Sequence, residues 1–280
     1  MLFASSSKLA KRRDAKLHRV RTLAVSNTCT LLQETRGNEG DLEVLRAGLP
    51  GIRLWGSFAD ENAGGVAIIL QASFADKFEW EVKEVLAGRI LTIIGRSTKG
   101  MISFTSVHIL PGISHRDLGE TLRALRVALP HSRGCTNIIG GDFNFPTEGE
   151  GRYDAVTGRI SVPKARAGAL FASTFADMTE LYQQDYTHRS EKDEALQILS
   201  RIDRIYCSMA TPLLMDLRPS VGTRGMLAKK GLSDHLPVRA CLSHPPQSAQ
   251  STRISAWLSR TPESAKKLEE DIRCQAIGPF

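Results

Sequence analysis

The chain is built from short apolar runs separated by polar breaks, and most runs have the length of a strand rather than a helix. Residues Lys8 to Ala24 are the first exception: Leu9, Leu17, Val20 and Ala24 fall on one face with basic residues around the rest, which predicts a helix packed on a sheet. Cys29–Gln33 is a short apolar strand after the Ser26-Asn27 break. Asp41–Gly48 predicts a short helix stopped by Gly48 and Pro50. Gly64–Leu70 is an apolar strand entered through glycines, and Phe78–Val85 and Arg89–Arg96 are two strands around an Ala87-Gly88 turn. Met101–His108 alternates as a half-buried strand should. Ser114–Leu129 sets Leu118, Leu122, Leu125 and Leu129 on one helical face. Ile138–Asn144 reads Ile-Ile-Gly-Gly-Asp-Phe-Asn, a buried strand running into a turn.

The second half is less regular. Glu148–Arg159 predicts a long polar loop, Ala165–Thr179 a helix and Thr187–Leu199 a charged loop. Arg201–Ser208 is an alternating strand. Leu213–Val221 predicts an edge strand because of its prolines, and Val238–Leu242 a final strand. Many strands with a few intervening helices suit an α/β sandwich of packed sheets flanked by helices. The pattern divides the chain into a domain over residues 1–243, a Pro/Gln/Ser linker over 244–253 and a short helical tail over 254–280.

Composition narrows the class without naming it. With 280 residues, 41% hydrophobic and 24% charged, the chain is an ordinary globular sequence, and no run approaches the ~18 apolar residues of a membrane span. Five scattered cysteines read as reduced core residues of an intracellular, reducing compartment, the nucleus included. The net charge of +7 is uneven. Residues 1–21 hold seven Lys/Arg against one Asp, a net of +6 that leaves +1 for the remainder. The charge thus marks a basic first helix rather than a uniformly basic surface.

Polar residues of one chemical type stand where apolar strands run out: Glu34, His108, Asp142 with Asn144, Asp203, and Asp234-His235. Each has an ordinary reading alone. Glu34 could be a solvated strand end, His108 a satisfied core histidine, Asp203 a partner for Arg201 or Arg204, and Asp234 a turn cap. Together they supply what phosphodiester hydrolysis needs: hard oxygen ligands for Mg²⁺, a carboxylate-oriented imidazole, and an amide that can bind phosphate or place the nucleophile.

Five of these stretches resemble, in order, the motifs of the endonuclease/exonuclease/phosphatase (DNase I-like) superfamily. They are Gln33-Glu34-Thr35, Val107–Gly112, Gly141–Asn144, Ser200–Ile205 and Ser233–Val238. The resemblance is strongest to the endonuclease domains of non-LTR retrotransposons. It implies a four-layer α/β sandwich with two central, mostly antiparallel sheets, and Mg²⁺-dependent hydrolysis, with Mn²⁺ as a substitute. Carried over by motif, Glu34 and Asp234 would be metal ligands and Asp142 would align or activate the water. Asn144 would contact the phosphate. His235, paired with Asp203, would be the general base or a phosphate contact, and His108 a general acid or phosphate contact. DNA would be the substrate, nicked by a domain of a longer polyprotein that carries a reverse transcriptase, with no membrane partner. A lipid or inositol phosphatase, an RNA deadenylase and an inactive remnant are the other readings. Superfamily members begin with a strand ending in Asn, a helix ahead of the Gln-Glu motif. Here only the helix and the second strand precede Glu34, so the expected sandwich lacks its first strand.

Overall fold

The computed structural model describes residues 7–60, 64–131, 134–147, 150–161, 166–193, 196–216, 220–223 and 233–242. The expected linker over 244–253 and tail over 254–280 lie outside them. In chain order the elements are α1 (Ser7–Ser26), β1 (Cys29–Gln33), α2 (Glu39–Ala47), β2 (Ile52–Ser57), β3 (Val66–Gln71), α3 (Ala72–Ala75), β4 (Glu79–Leu86), β5 (Ile90–Ser97), β6 (Gly100–His108), α4 (His115–Ala128) and β7 (Cys135–Asp142). They continue with β8 (Arg152–Asp154), β9 (Ile160–Ser161), α5 (Arg166–Thr174), β10 (Thr179–Glu180), β11 (His188–Asp193), β12 (Leu196–Ser200), β13 (Asp203–Cys207), α6 (Thr211–Asp216), β14 (Ser220–Thr223) and β15 (Val238–Cys241).

Two sheets form the centre. One has the order β1-β3-β2; the other has the order β10-β13-β7-β6-β5-β4 and is antiparallel except for the β6–β7 pair. Between them lies a core that includes Val66, Ile68, Leu70, Leu91, Ile93 and Phe104. β3 has both faces covered, since Ala67 and Ile69 pack outward against Leu17, Val20 and Ala24 of α1 and Leu42 and Leu45 of α2. That is why Val66–Leu70 reads as a continuous apolar run rather than an alternating one. On the far side of the second sheet, Leu118, Leu122 and Leu125 of α4 and Phe171 of α5 close another core with Ile139, Val107 and Phe143. The layers are therefore helix, sheet, sheet, helix, the DNase I-like sandwich that the motifs implied.

Local chemistry fixes the element ends. Asn38 caps α2 in a reciprocal box with Asp41, and the Ser114 hydroxyl accepts from the Asp117 N–H at the start of α4. Three expectations change. Glu148–Arg159 is not simply a loop: its described part contains β8 and the turn that leads to its partner β9. Thr187–Leu199 is the β11–β12 hairpin, not a loop, and β12 in turn pairs with β8. Leu213–Val221 is split between α6 and β14, with residues 217–219 outside the described set. β1 is paired on one side, with β3, and β15 on one side, with β14. Among the described residues no strand lies against their other edges.

Behind β13, Arg204 is fully buried and donates to the carbonyls of Phe145 (2.8 Å) and Arg201 (2.7 Å) and to Glu150 (2.6 Å). Arg201 pairs with Glu150 and Glu180. The arginines flanking Asp203 are thus committed to other carboxylates, and Asp203 is left for the site.

Candidate active site

Sheet register builds the centre. In the parallel β6–β7 pair His108 stands opposite Asp142, and in the antiparallel β7–β13 pair Asp142 stands opposite Asp203. Three strand ends thereby place a histidine and two carboxylates in one row across the sheet. Glu34 reaches this row from the other sheet. Gln33 donates to Ser106 Oγ (2.9 Å), Ser106 donates to the Leu32 carbonyl (3.0 Å), and Glu34 Oε1 lies 3.6 Å from His108 Nε2. The segment ahead of β15 brings His235, whose Nδ1 lies 2.9 Å from Asp203 Oδ2 and whose Nε2 lies 3.9 Å from Asp142 Oδ2.

Backbone strain falls on the same residues. Among the described non-glycine residues, positive φ occurs at Glu34 (50°), Arg36 (45°) and Asn144 (53°). A left-handed Glu costs about 1–3 kcal/mol and persists where its surroundings hold it. Here Thr35 N–H and Arg36 N–H bond to the carbonyls of Gly65 and Gly64, both at 3.0 Å.

The protonation states follow from these neighbours. His108 is only 3% exposed. Burial and the Arg89 guanidinium push its pKa down to about 4. Arg89 donates to His108 Nδ1 (2.9 Å), so the neutral ring carries its proton on Nε2, toward Glu34. Asp142 is pushed up to about 7 by burial and by the Asp203 carboxylate. For His235 burial opposes the charge, but Asp203, Asp142 and Asp234 outweigh it and hold its pKa at about 9. The ring is therefore an imidazolium at neutral pH, its Nδ1–H donated to Asp203. Asp234 is held below the usual carboxylate range by the neighbouring His188 ring.

Asn144 is turned inward. Its Nδ2 donates to Asp142 Oδ2 and to the Ile109 carbonyl, both at 2.8 Å, and its backbone N–H donates to Asp142 Oδ1 (2.9 Å). One Nδ2–H and the backbone N–H thus hold Asp142, and the other Nδ2–H is taken by Ile109. Asp234 sits with His188 (3.7 Å between Nε2 and Oδ2), its side chain 68% exposed.

Three contributors were not singled out from the sequence: Arg89, Thr187 and His188. Thr187 is fully buried. Its Oγ1 accepts from the N–H groups of Ile202 (3.1 Å) and Asp203 (3.0 Å), and its carbonyl accepts from Leu236 (2.7 Å). It ties the Asp203 strand to the His235 loop. Thr187→Val keeps the shape but strands two buried donors, at about 1–3 kcal/mol each. We expect a Tm lowered by about 5 °C or more. An unchanged melting curve would remove Thr187 from this role.

The donors fit a hard divalent cation at one end of the row. Glu34 is 53% exposed at the sheet end, and the carboxylates Asp142 and Asp203 stand opposite each other across β7 and β13. Glu34 could hold Mg²⁺ or Mn²⁺ there.

No protein-family model and no curated protein matches the chain. Solved structures do. The endonuclease domain of TRAS1, a telomere-specific non-LTR retrotransposon, is similar over 83% of this chain and 92% of its own, with 18% identity and a TM-score of 0.56. The 3′ phosphatase NExo from Neisseria, bound to a product DNA hairpin, covers 81% and 94%, with 19% identity and a TM-score of 0.59. An AP endonuclease from Archaeoglobus fulgidus covers 82% and 94%, with 17% identity and a TM-score of 0.59. The chain thus has the endonuclease/exonuclease/phosphatase fold, in agreement with the motif reading.

Proposed function

We propose that the chain hydrolyses phosphodiester bonds in DNA with the help of a divalent cation, nicking duplex DNA as a retrotransposon-type endonuclease. The observation that carries this reading is the contact chain Asp203–His235–Asp142, with distances of 2.9 and 3.9 Å, set at the ends of β13 and β7. In this reading water attacks phosphorus as its proton passes to Asp142, whose pKa near 7 suits a proton acceptor at neutral pH. The bond from phosphorus to the leaving sugar oxygen then breaks. His235 donates Nε2–H to a phosphoryl oxygen as charge grows on it, and Asp203 fixes the ring. A histidine charged at neutral pH serves better as this donor than as a base, so of its two expected roles the phosphate contact is favoured. His108, neutral at neutral pH, contacts phosphate through Nε2–H rather than acting as a general acid. Mg²⁺ held at Glu34 would supply charge neutralisation at the phosphoryl and leaving oxygens.

The likeness to the TRAS1 domain and to DNA-processing enzymes supports DNA as the substrate, with residues 1–243 as the catalytic domain of a longer, reverse-transcriptase-bearing chain. The test is supercoiled plasmid with Mg²⁺. Nicked circles should appear, and EDTA should prevent them. Cleavage of an inositol phosphate or of poly(A) RNA with the plasmid left intact would overturn the DNA reading.

A further inference from the structure

One cluster in this region has a donor set unlike the rest of the row. His188, Asp234 and His235 each offer one ligand atom, and these atoms lie within 4.8 Å of one another. Two imidazoles and a carboxylate suit a borderline cation such as Zn²⁺ better than Mg²⁺, which takes oxygen donors and keeps its waters. The His188 and His235 rings are 4.6 Å apart, centroid to centroid, across an isolated β-bridge between the two residues.

The outer hydrogen bonds make the cluster more than three neighbouring side chains. Metal-binding histidines usually anchor the ring nitrogen that faces away from the metal. Here His235 Nδ1 is held by Asp203 Oδ2 at 2.9 Å, and His188 Nδ1 by Ser200 Oγ at 3.2 Å. Both rings are thereby fixed through Nδ1 and left with Nε2 as the ligand atom. His188 Nε2 already lies 3.7 Å from Asp234 Oδ2. Asp234 is exposed, so its side chain can swing to close the remaining gap to bonding distance, about 2.0–2.2 Å from the metal for each ligand.

We propose that His188, Asp234 and His235 form a Zn²⁺ site whose occupation inhibits the enzyme. Zn²⁺ would take the His235 Nε2 lone pair, the ring being held through Nδ1 by Asp203, and any proton there is released to solvent. The ring then has no N–H with which to contact phosphate. The inhibitory part rests on the nicking activity proposed above; the binding part does not.

The experiment has two arms. In the first, Zn²⁺ is titrated calorimetrically into the Mg²⁺-free protein, and Co²⁺ is used as a visible reporter of tetrahedral coordination. Wild type should bind one Zn²⁺ with a strong Co²⁺ absorption. His188→Ala should lose both, and Ser200→Ala should weaken Zn²⁺ binding by about tenfold. His188→Gln serves if the alanine variant fails to fold by circular dichroism. Binding unchanged in the His188 variants overturns the site. In the second arm, plasmid nicking in Mg²⁺ is measured with increasing Zn²⁺. Inhibition of wild type that follows the binding curve supports the proposal; full activity with the site occupied, or activation, overturns its inhibitory part. Absence of nicking in Mg²⁺ alone would count against the nuclease reading, with the binding arm still deciding the Zn²⁺ site.

Discussion

Asp142→Asn should lower plasmid nicking by about 10³-fold, the loss expected if Asp142 accepts the water proton as proposed. The variant is nearly isosteric, and Asn144 N–H can still donate to its side-chain oxygen as it does to Oδ1 (2.9 Å). It gives up one bond, since an amide nitrogen in place of Oδ2 faces the Asn144 Nδ2 donor at 2.8 Å, a cost of about 1 kcal/mol. Stability then reports on the same carboxylate independently of turnover. The folded pKa of Asp142, about 7, lies above its ordinary value. The protonated form is therefore the one the metal-free fold favours, and that advantage is lost as pH rises through the folded pKa. Without metal, wild type should melt above Asp142→Asn below about pH 4, and the order should narrow and then reverse as pH rises from there to about 7. Adding Mg²⁺ at the higher pH should raise the Tm of wild type more than that of the variant. Nicking retained within tenfold would mean that another group takes the proton. A Tm difference independent of pH would mean that Asp142 is ionised throughout.

The parts of this site that were legible in the sequence are those whose structure is set locally. Cys29–Gln33 ends in Glu34, and Ile138–Asn144 carries Asp142 and Asn144, because an apolar run followed by a polar break marks a strand end wherever it pairs. The hairpin β11–β12 was hidden for the opposite reason. Its sequence is charged, and it is a strand because β8 and the His235 loop supply partners from elsewhere in the chain. With it went Thr187 and His188. The stretch Leu213-Leu214-Met215 is too short for its apolar pattern to distinguish strand from helix, although Thr211-Pro212 ahead of it is a helix-start signal that could have decided the matter. The protonation of His108 depends on its burial and on Arg89, placed beside it by the β5–β6 pairing, and the inward turn of the Asn144 amide accompanies a backbone φ of 53°. Neither is written in spacing or composition. Residue types were readable, whereas which group is charged and which way an amide points were not.

Among the glycines of the described residues, Gly141→Ala should be the most damaging. Gly141 has φ 149°, a conformation open to glycine and strained for any L side chain. A Cβ there would meet the Val107 carbonyl oxygen at 2.0 Å, and Val107 is its paired residue on β6. That atom is backbone, so no rotamer change relieves the contact; β6 and β7 would have to part. They part only at the expense of the core between the sheet and α4, where Val107, Ile139 and Phe143 are fully buried. We expect a loss of about 4 kcal/mol and a Tm lower by about 10 °C. Gly140→Ala, one residue earlier, is the control. Its Cβ would meet Leu31 Cδ1 at 2.8 Å, the tip of a side chain that can rotate, and overpacking of that kind costs about 1–3 kcal/mol. The two variants also separate in function. Parting β6 from β7 breaks the register that sets His108 opposite Asp142, so Gly141→Ala should lose nicking even well below its Tm, whereas Gly140→Ala should keep it. Similar melting temperatures for the two would show that the β6–β7 pairing at Gly141 is not as close as described, and the row of His108, Asp142 and Asp203 would have to be redrawn.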